Sequence, residues 1–238
     1  MRPSFARPIT VLRFLAAVRL AAALGFAAGV PASAFAAGLP AAPGHPPQAE
    51  TAPAPATAHA WTGSASAAWY SLPDEDDFVL PIVTLRHDRL HLEARYNYED
   101  RSTGSVFAGW TYATGSTVEF EIVPMLGAVA GRTDGAAPAF TLTLDWKRLS
   151  VYSENEYLID FSDHDLNFFY DWSEVTVRAT AWLAAGLVAQ RTRTVDNGLD
   201  VQRGLLVRFA HGPFTATAYW FNPGSDDHFA VYSAGFEF

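Results

Sequence analysis

From Trp61 to Phe238 the chain runs in segments of about ten residues in which apolar and polar side chains alternate with a period of two, each segment closed by turn chemistry. Successive side chains of an extended strand point to opposite faces, so this period argues for a sheet with one apolar and one polar face. The pattern predicts strands at 63–71, 78–86, 90–99, 105–113, 117–127, 138–147, 149–160, 166–174, 182–193, 200–210, 214–222 and 229–238. Residues 174–182 read as a turn, with extension of a strand as the alternative, and a count of ten strands stays open.

The first 60 residues have a different character. Residues 1–36 hold four arginines, Arg2, Arg7, Arg13 and Arg19, and no acid, followed by an apolar run from Leu20 to Val30. That run is too short for a membrane-spanning helix. Ala32-Ser33-Ala34 and Ala34-Phe35-Ala36 both give the small-x-small pattern of a cleavage site, so residues 1–36 are expected to be a secretory signal peptide. Residues 37–60, rich in Ala and Pro with Glu50 as the one charge, are expected to form a disordered periplasmic segment. The folded domain is then 61–238.

Composition narrows the class. Half of the residues are hydrophobic and 14% aromatic, yet no later stretch approaches the roughly 20 unbroken apolar residues of a transmembrane helix. An exported chain that enters a membrane without such helices must pair every backbone amide within a closed sheet. The expected fold is all-β: a transmembrane antiparallel up-and-down β-barrel of about 12 strands. There is no Cys, hence no disulfide framework and no lipidation site. The formal charge of -9 falls to -13 once the four leader arginines are removed, which argues against nucleic acid as a partner. No cofactor and no metal are expected.

The last segment, Ala230-Val231-Tyr232-Ser233-Ala234-Gly235-Phe236-Glu237-Phe238, places Tyr232, Ala234 and Phe236 on one face and ends on an aromatic residue. It resembles the closing strand of bacterial outer-membrane β-barrel proteins. The resemblance implies that Tyr232, Ala234, Phe236 and Phe238 form an insertion signal read by the barrel-assembly machinery. It also implies a monomer in the outer membrane of a Gram-negative-type bacterium, with lipid and lipopolysaccharide as neighbours. An even strand count puts both termini in the periplasm, so the outer loops are 73–77, 100–104, 128–137, 161–165, 194–199 and 223–228. Inner turns fall at 87–89, 114–116, 147–148, 175–181 and 211–213. Trp61, Trp69, Trp110, Trp146, Trp172, Trp182 and Trp220, with Tyr98 and Tyr112, are expected at the lipid-water boundary. The competing arrangement is a soluble barrel with its aromatics inside, which leaves the terminal Phe unexplained.

Alternation assigns each face. In 90–99 one row is Leu90, Leu92, Ala94, Tyr96 and Tyr98, the other His91, Glu93, Arg95, Asn97 and Glu99; the charged row cannot face lipid. The same test sends Glu119, Glu121, Asp145, Lys147, Glu154, Glu156, Asp160, Asp171, Gln202, Arg208 and Glu237 to the lumen. Acids outnumber bases there. A water-filled lumen of this charge favours cations, so the porin-like resemblance over 61–238 implies a narrow, cation-favouring diffusion channel. The alternative is a structural barrel plugged by an internal network of ion pairs.

Three further chemistries have candidate residues. A lipid-modifying hydrolase or acyltransferase needs a nucleophile within reach of a base; only His164 and His228 lie at the outer rim, near Ser162 and Ser225, in no recognised motif. The acidic loops Asp74-Glu75-Asp76-Asp77, Asp163-His164-Asp165 and Asp226-Asp227-His228 have the ligand types of a divalent-cation site but equally those of ordinary solvated loop tips. Arg191, Arg193 and Arg203 sit on two consecutive strands just above the hydrocarbon, where they contact lipopolysaccharide phosphates or pair with Asp196 and Asp200.

Overall fold

The computed structural model describes residues 60–73, 76–194 and 198–238. The expected signal peptide, and the expected disordered segment up to residue 59, lie outside them, as do loop residues 74–75 and 195–197. Thirteen strands are present: β1 Thr62–Ser71, β2 Phe78–His87, β3 Leu90–Tyr96, β4 Gly104–Trp110, β5 Tyr112–Thr114, β6 Glu119–Ala130, β7 Gly135–Trp146, β8 Leu149–Asp160, β9 Phe168–Arg178, β10 Leu183–Thr194, β11 Gly198–His211, β12 Phe214–Phe221 and β13 Phe229–Glu237. Every pairing is antiparallel and follows chain order, and β1 pairs with β13 to close the ring.

Twelve staves result, because β4 and β5 are two parts of one. Both pair with β6 in a single register, Gly104 opposite Ala130 through Thr114 opposite Phe120. The Thr111 N–H donates to the Arg89 carbonyl on the other side at 2.7 Å, so the alternating pattern turns the groups of Trp110 toward β6. Trp110 there meets Pro124, which has no N–H to offer, and the ladder lapses for one residue. Closure leaves no sheet edge, so every stave has two bonded neighbours.

Several boundaries differ from expectation. The third strand stops at Tyr96 because Asn97 and Ser102 adopt positive φ, 59° each, and the Asn97 carboxamide accepts from Ser102 N–H at 2.8 Å to close a tight bend. β6 and β7 run on to Ala130 and Gly135, leaving 131–134 as the connection where a loop over 128–137 was expected. The segment read as a turn at 174–182 continues β9 to Arg178; Glu174-Val175-Thr176-Val177 alternates well enough to pair with β8 and β10 on both sides. Two-residue turns start on Asp88, Lys147 and Gly212, each at positive φ, the conformation that matches strand twist in hairpins.

The outer wall is apolar over most of its area, the exception being the outward polar residues Ser153, Asn155, Asp171 and Ser173 on β8 and β9 and the arginines beside them. Val106, Leu126, Leu187 and Val177 point away from the barrel axis and are more than half exposed. Trp61, Trp110, Tyr112, Trp146 and Trp182 ring the end that holds both described termini, and Trp69, Trp220 and Tyr232 mark the other end on one flank. Trp172 and Tyr98 depart from the boundary positions expected for them: both are buried in the lumen, at 0% and 1% exposure. Trp172 shares the inward row of Tyr170 and Glu174, and Tyr98 lies beyond the Asn97 bend that reverses the strand's parity.

Candidate functional site

The lumen is crossed by side chains that meet from non-adjacent staves. Arg95, on the inward row of β3, reaches across to β8 and pairs with Glu154 at 2.9 Å and Glu156 at 3.0 Å. It also pairs with Glu93 on its own strand. On the staves between, the inward Phe107 ring of β4 fits into the space left by Gly127 on β6, beside the small Ala137 and Ala139 on β7. The Arg95 guanidinium lies over the Tyr98 ring at 4.0 Å and the Phe107 ring at 4.3 Å. Tyr98 donates its hydroxyl proton to Glu154. Glu93 further accepts from Thr84 at 3.4 Å and contacts the His91 ring nitrogen at 3.2 Å. One fully buried arginine thus faces three carboxylates, and their contacts replace the hydration it loses.

A second cluster fills the opposite wall. Arg208 on β11 pairs with Glu174 on β9 at 2.6 Å, and the same carboxylate accepts from Tyr219 at 2.8 Å and from the Trp172 indole at 3.1 Å. Trp172 packs edge-on against Tyr219 and Phe221, and Phe221 stacks on Phe229 at 4.7 Å. The clusters adjoin through β8 and β9: Tyr152 is opposite Glu174, and Glu154 opposite Trp172. Tyr70, Tyr170 and Trp172 are all at 0% exposure, so at this level the lumen is filled by its own side chains. Near the terminal end Arg86 on β2 meets Glu121 on β6 at 3.2 Å, with two staves between them.

The structure brings most of the expected lumen residues to the interior. His91, Glu93, Arg95, Glu154, Glu156 and Arg208 are buried in the two clusters, and Glu99 is buried in the bend after β3. Gln202 faces Gln190 across the β10–β11 pair and bonds to it. Asp160 is buried at the far end, where its carboxylate accepts from Ser162 at 2.7 Å and Asp163 at 2.9 Å and so ties down the loop. Glu121, Asp145 and Glu237 are partly exposed toward the terminal mouth, and Glu119 is exposed at its rim.

Two expected lumen residues are elsewhere. Lys147 is exposed in the β7–β8 turn, 5.0 Å from the Trp146 ring, because it supplies the positive-φ position that reverses the chain. Asp171 stands on the outward row of β9, directly opposite Arg191 on β10, and pairs with it at 2.8 Å. The inward acid of that strand is Glu174, which the expected end of the strand at 174 obscured. The local signal for it was Trp172-x-Glu174 with Tyr170 two residues earlier, a same-face row of polar-tipped side chains.

At the far rim, the Ser225 hydroxyl bonds to Asp227 while the His228 ring contacts the Ser225 carbonyl at 2.8 Å, so the imidazole is not directed at the hydroxyl. Asp163 accepts from the Asp165 N–H at 3.0 Å and caps a single 3-10 turn, His164–Leu166. Among the described residues no group of three or more His, Asp or Glu is arranged to hold a metal ion.

No family model matches the chain, and no curated protein matches it. Solved structures do. The KdgM porin superposes with a TM-score of 0.55 at 11% identity, covering 74% of this chain and 98% of that one. The same porin in complex with disordered oligogalacturonate gives 0.55 at 10% identity, with the same coverage. Identity this low speaks to architecture alone, and in architecture the chain is a closed, twelve-stave, porin-like β-barrel of the outer-membrane type.

Proposed function

We propose that the protein is an outer-membrane barrel that acts as a narrow, gated diffusion path for small cations. The observation that carries this reading is the Arg95 layer, where Glu93, Glu154 and Glu156 surround a single guanidinium. Fixed negative charge in a low-dielectric passage lowers the barrier for cations and raises it for anions. Oligogalacturonate, present with the KdgM porin, is a polyanion and does not suit this lumen. Porin-like architecture supports a channel, while the burial of Arg95 and its partners calls for a gate: conduction requires the guanidinium to leave Glu154 and Glu156. Outer-membrane placement is supported by the apolar outer wall and the aromatic rings at both ends. Ser225 and His228 give no support to a lipid-modifying enzyme.

A second reading, a plugged structural barrel, is favoured by the complete burial of Tyr70, Tyr170 and Trp172 across the same level. Conductance separates the two. In planar bilayers the wild-type barrel should show small, intermittent, cation-preferring steps, and Arg95→Gln should show larger and longer ones. The same change leaves three buried carboxylates without their cation, so the urea midpoint in vesicles should fall, by about 3–5 kcal/mol of stability. Electrical silence of both proteins, with insertion verified by heat-modifiable migration, defeats the channel and selects the plug.

A further inference from the structure

We propose that the outward wall of β8–β11 carries a docking site for the phosphate groups of lipopolysaccharide, with Arg191, Arg193 and Arg203 as the cationic contacts. The inference rests on outer-membrane placement, and not on conduction. Arg191 and Arg193 occupy successive outward positions of β10, and Arg203 an outward position of β11; all three are exposed. Arg191 is opposite Val201 and Arg203 opposite Ala189, which makes the two arginines diagonal neighbours on one face.

The position along the wall matters as much as the charge. Going from the terminal end, the outward row of β11 reads Phe209, Val207, Leu205, then Arg203; that of β10 reads Leu183, Ala185, Leu187, Ala189, then Arg191 and Arg193. Leu187 and Leu205 are exposed apolar side chains, so the apolar belt ends one or two rows below the arginines. On the next staves round, β12, β13 and β1, exposed aromatic rings stand near this border: Trp220 directly opposite Leu205, then Tyr232 and Trp69 paired with each other. On β10 and β11 the border is therefore marked by arginines, with the exposed rings of Phe169, opposite Arg193, and Tyr157, opposite Phe169, beside them.

The wall beside them is polar as well. Arg191 holds Asp171 at 2.8 Å; Ser173 donates its hydroxyl proton to the same carboxylate at 3.4 Å, the Ser153 and Ser173 hydroxyl oxygens lie 3.3 Å apart, and Asn155 donates to Ser153 at 3.0 Å. Asp171 is buried by these contacts, yet half of the Arg191 side chain stays exposed. That network fixes Arg191 and, among the described residues of the wall, sets three arginines against one aspartate on a chain whose formal charge is -9. Charge complementarity thus selects an anion, and guanidinium groups bind phosphate in a forked geometry. A second copy of the chain docking here about a two-fold axis sets arginine against arginine, which disfavours self-association through this face.

The test uses the full chain refolded in detergent, titrated with lipopolysaccharide and read by native mass spectrometry and by the temperature at which heat-modifiable migration is lost. Phosphorylated lipopolysaccharide should give a discrete adduct and raise that temperature. Enzymatically dephosphorylated lipopolysaccharide, or the Arg191→Gln/Arg193→Gln/Arg203→Gln variant, should bind at least about tenfold more weakly. Because the triple change strands Asp171, the Arg193→Gln/Arg203→Gln variant, which keeps the Arg191–Asp171 pair, serves where the triple variant does not fold; intermediate weakening is expected. Equal binding of the two lipopolysaccharide forms, undiminished binding by the double variant, or a dimer that the arginine changes abolish overturns the proposal. Bilayer conductance of the double variant should match wild type, so a failed channel and a failed docking site are told apart.

Discussion

At the scale of single residues the lumen is governed by who partners a buried charge. Arg95 is tolerated because three carboxylates and two aromatic faces replace its hydration, and Glu174 because Arg208, Tyr219 and Trp172 surround it. Alternation revealed that Glu93, Arg95 and Glu154 turn inward, since the other face of each strand was apolar. Their partners were hidden, because Arg95 and Glu156 are brought together only by the curvature of the sheet. Glu99, in the bend beyond β3, is less well served: burial pushes its carboxyl above the ordinary range, with Arg95 pulling the other way. A carboxyl whose value is raised on folding binds its proton more tightly in the folded state. Its contribution to stability is therefore present below the ordinary carboxylate range and lost as pH rises through the raised value. Glu99→Gln should raise the thermal stability of the barrel at about pH 8 and leave it nearly unchanged at about pH 4. Parallel melting curves across that interval that keep a constant gap between the two proteins refute this.

At the scale of elements, strand existence was legible and strand parity was legible only where the two faces differ in polarity. β9 shows why. Phe168, Tyr170, Trp172 and Glu174 form one row, and Phe169, Asp171, Ser173 and Val175 the other, so each row mixes aromatic or apolar with acidic residues. Hydropathy judges a strand alone and cannot choose between such rows. The register with β10 does, by placing Asp171 opposite Arg191 outside and Glu174 within reach of Arg208 inside. Small residues act at this scale too. A side chain at Gly127 on β6 would run into the Phe107 ring on β4, the ring that supports Arg95 from below. Gly127→Val should cost about 1–3 kcal/mol by overpacking, measured by urea unfolding in vesicles. It should also loosen the Arg95 layer, seen as lengthened openings in planar bilayers; an unchanged urea midpoint counts against this packing argument.

At the scale of the molecule, the decisive event is closure of β1 on β13. Gly63 and Phe238 exchange backbone hydrogen bonds at 2.7 and 2.9 Å, and the Phe238 ring covers the place where Gly63 has no side chain. Phe236 stacks on this ring and makes a tilted contact with Phe214 on its other side. Phe238→Ala should weaken the seam by up to about 1 kcal/mol and reduce the heat-modifiable fraction obtained on refolding. Wild-type yields from the variant would show that the seam does not depend on that ring. The sequence by itself determined that the chain forms strands, that their number is even and near twelve, and which face of most of them meets lipid, because a period of two is a local property of neighbouring residues. Only the tertiary structure decided that Asp171 faces outward and Glu174 inward, that Lys147 belongs to a turn, and that Arg95 spans the lumen. Those outcomes depend on register, shear and closure, which bring residues far apart in sequence within hydrogen-bond reach.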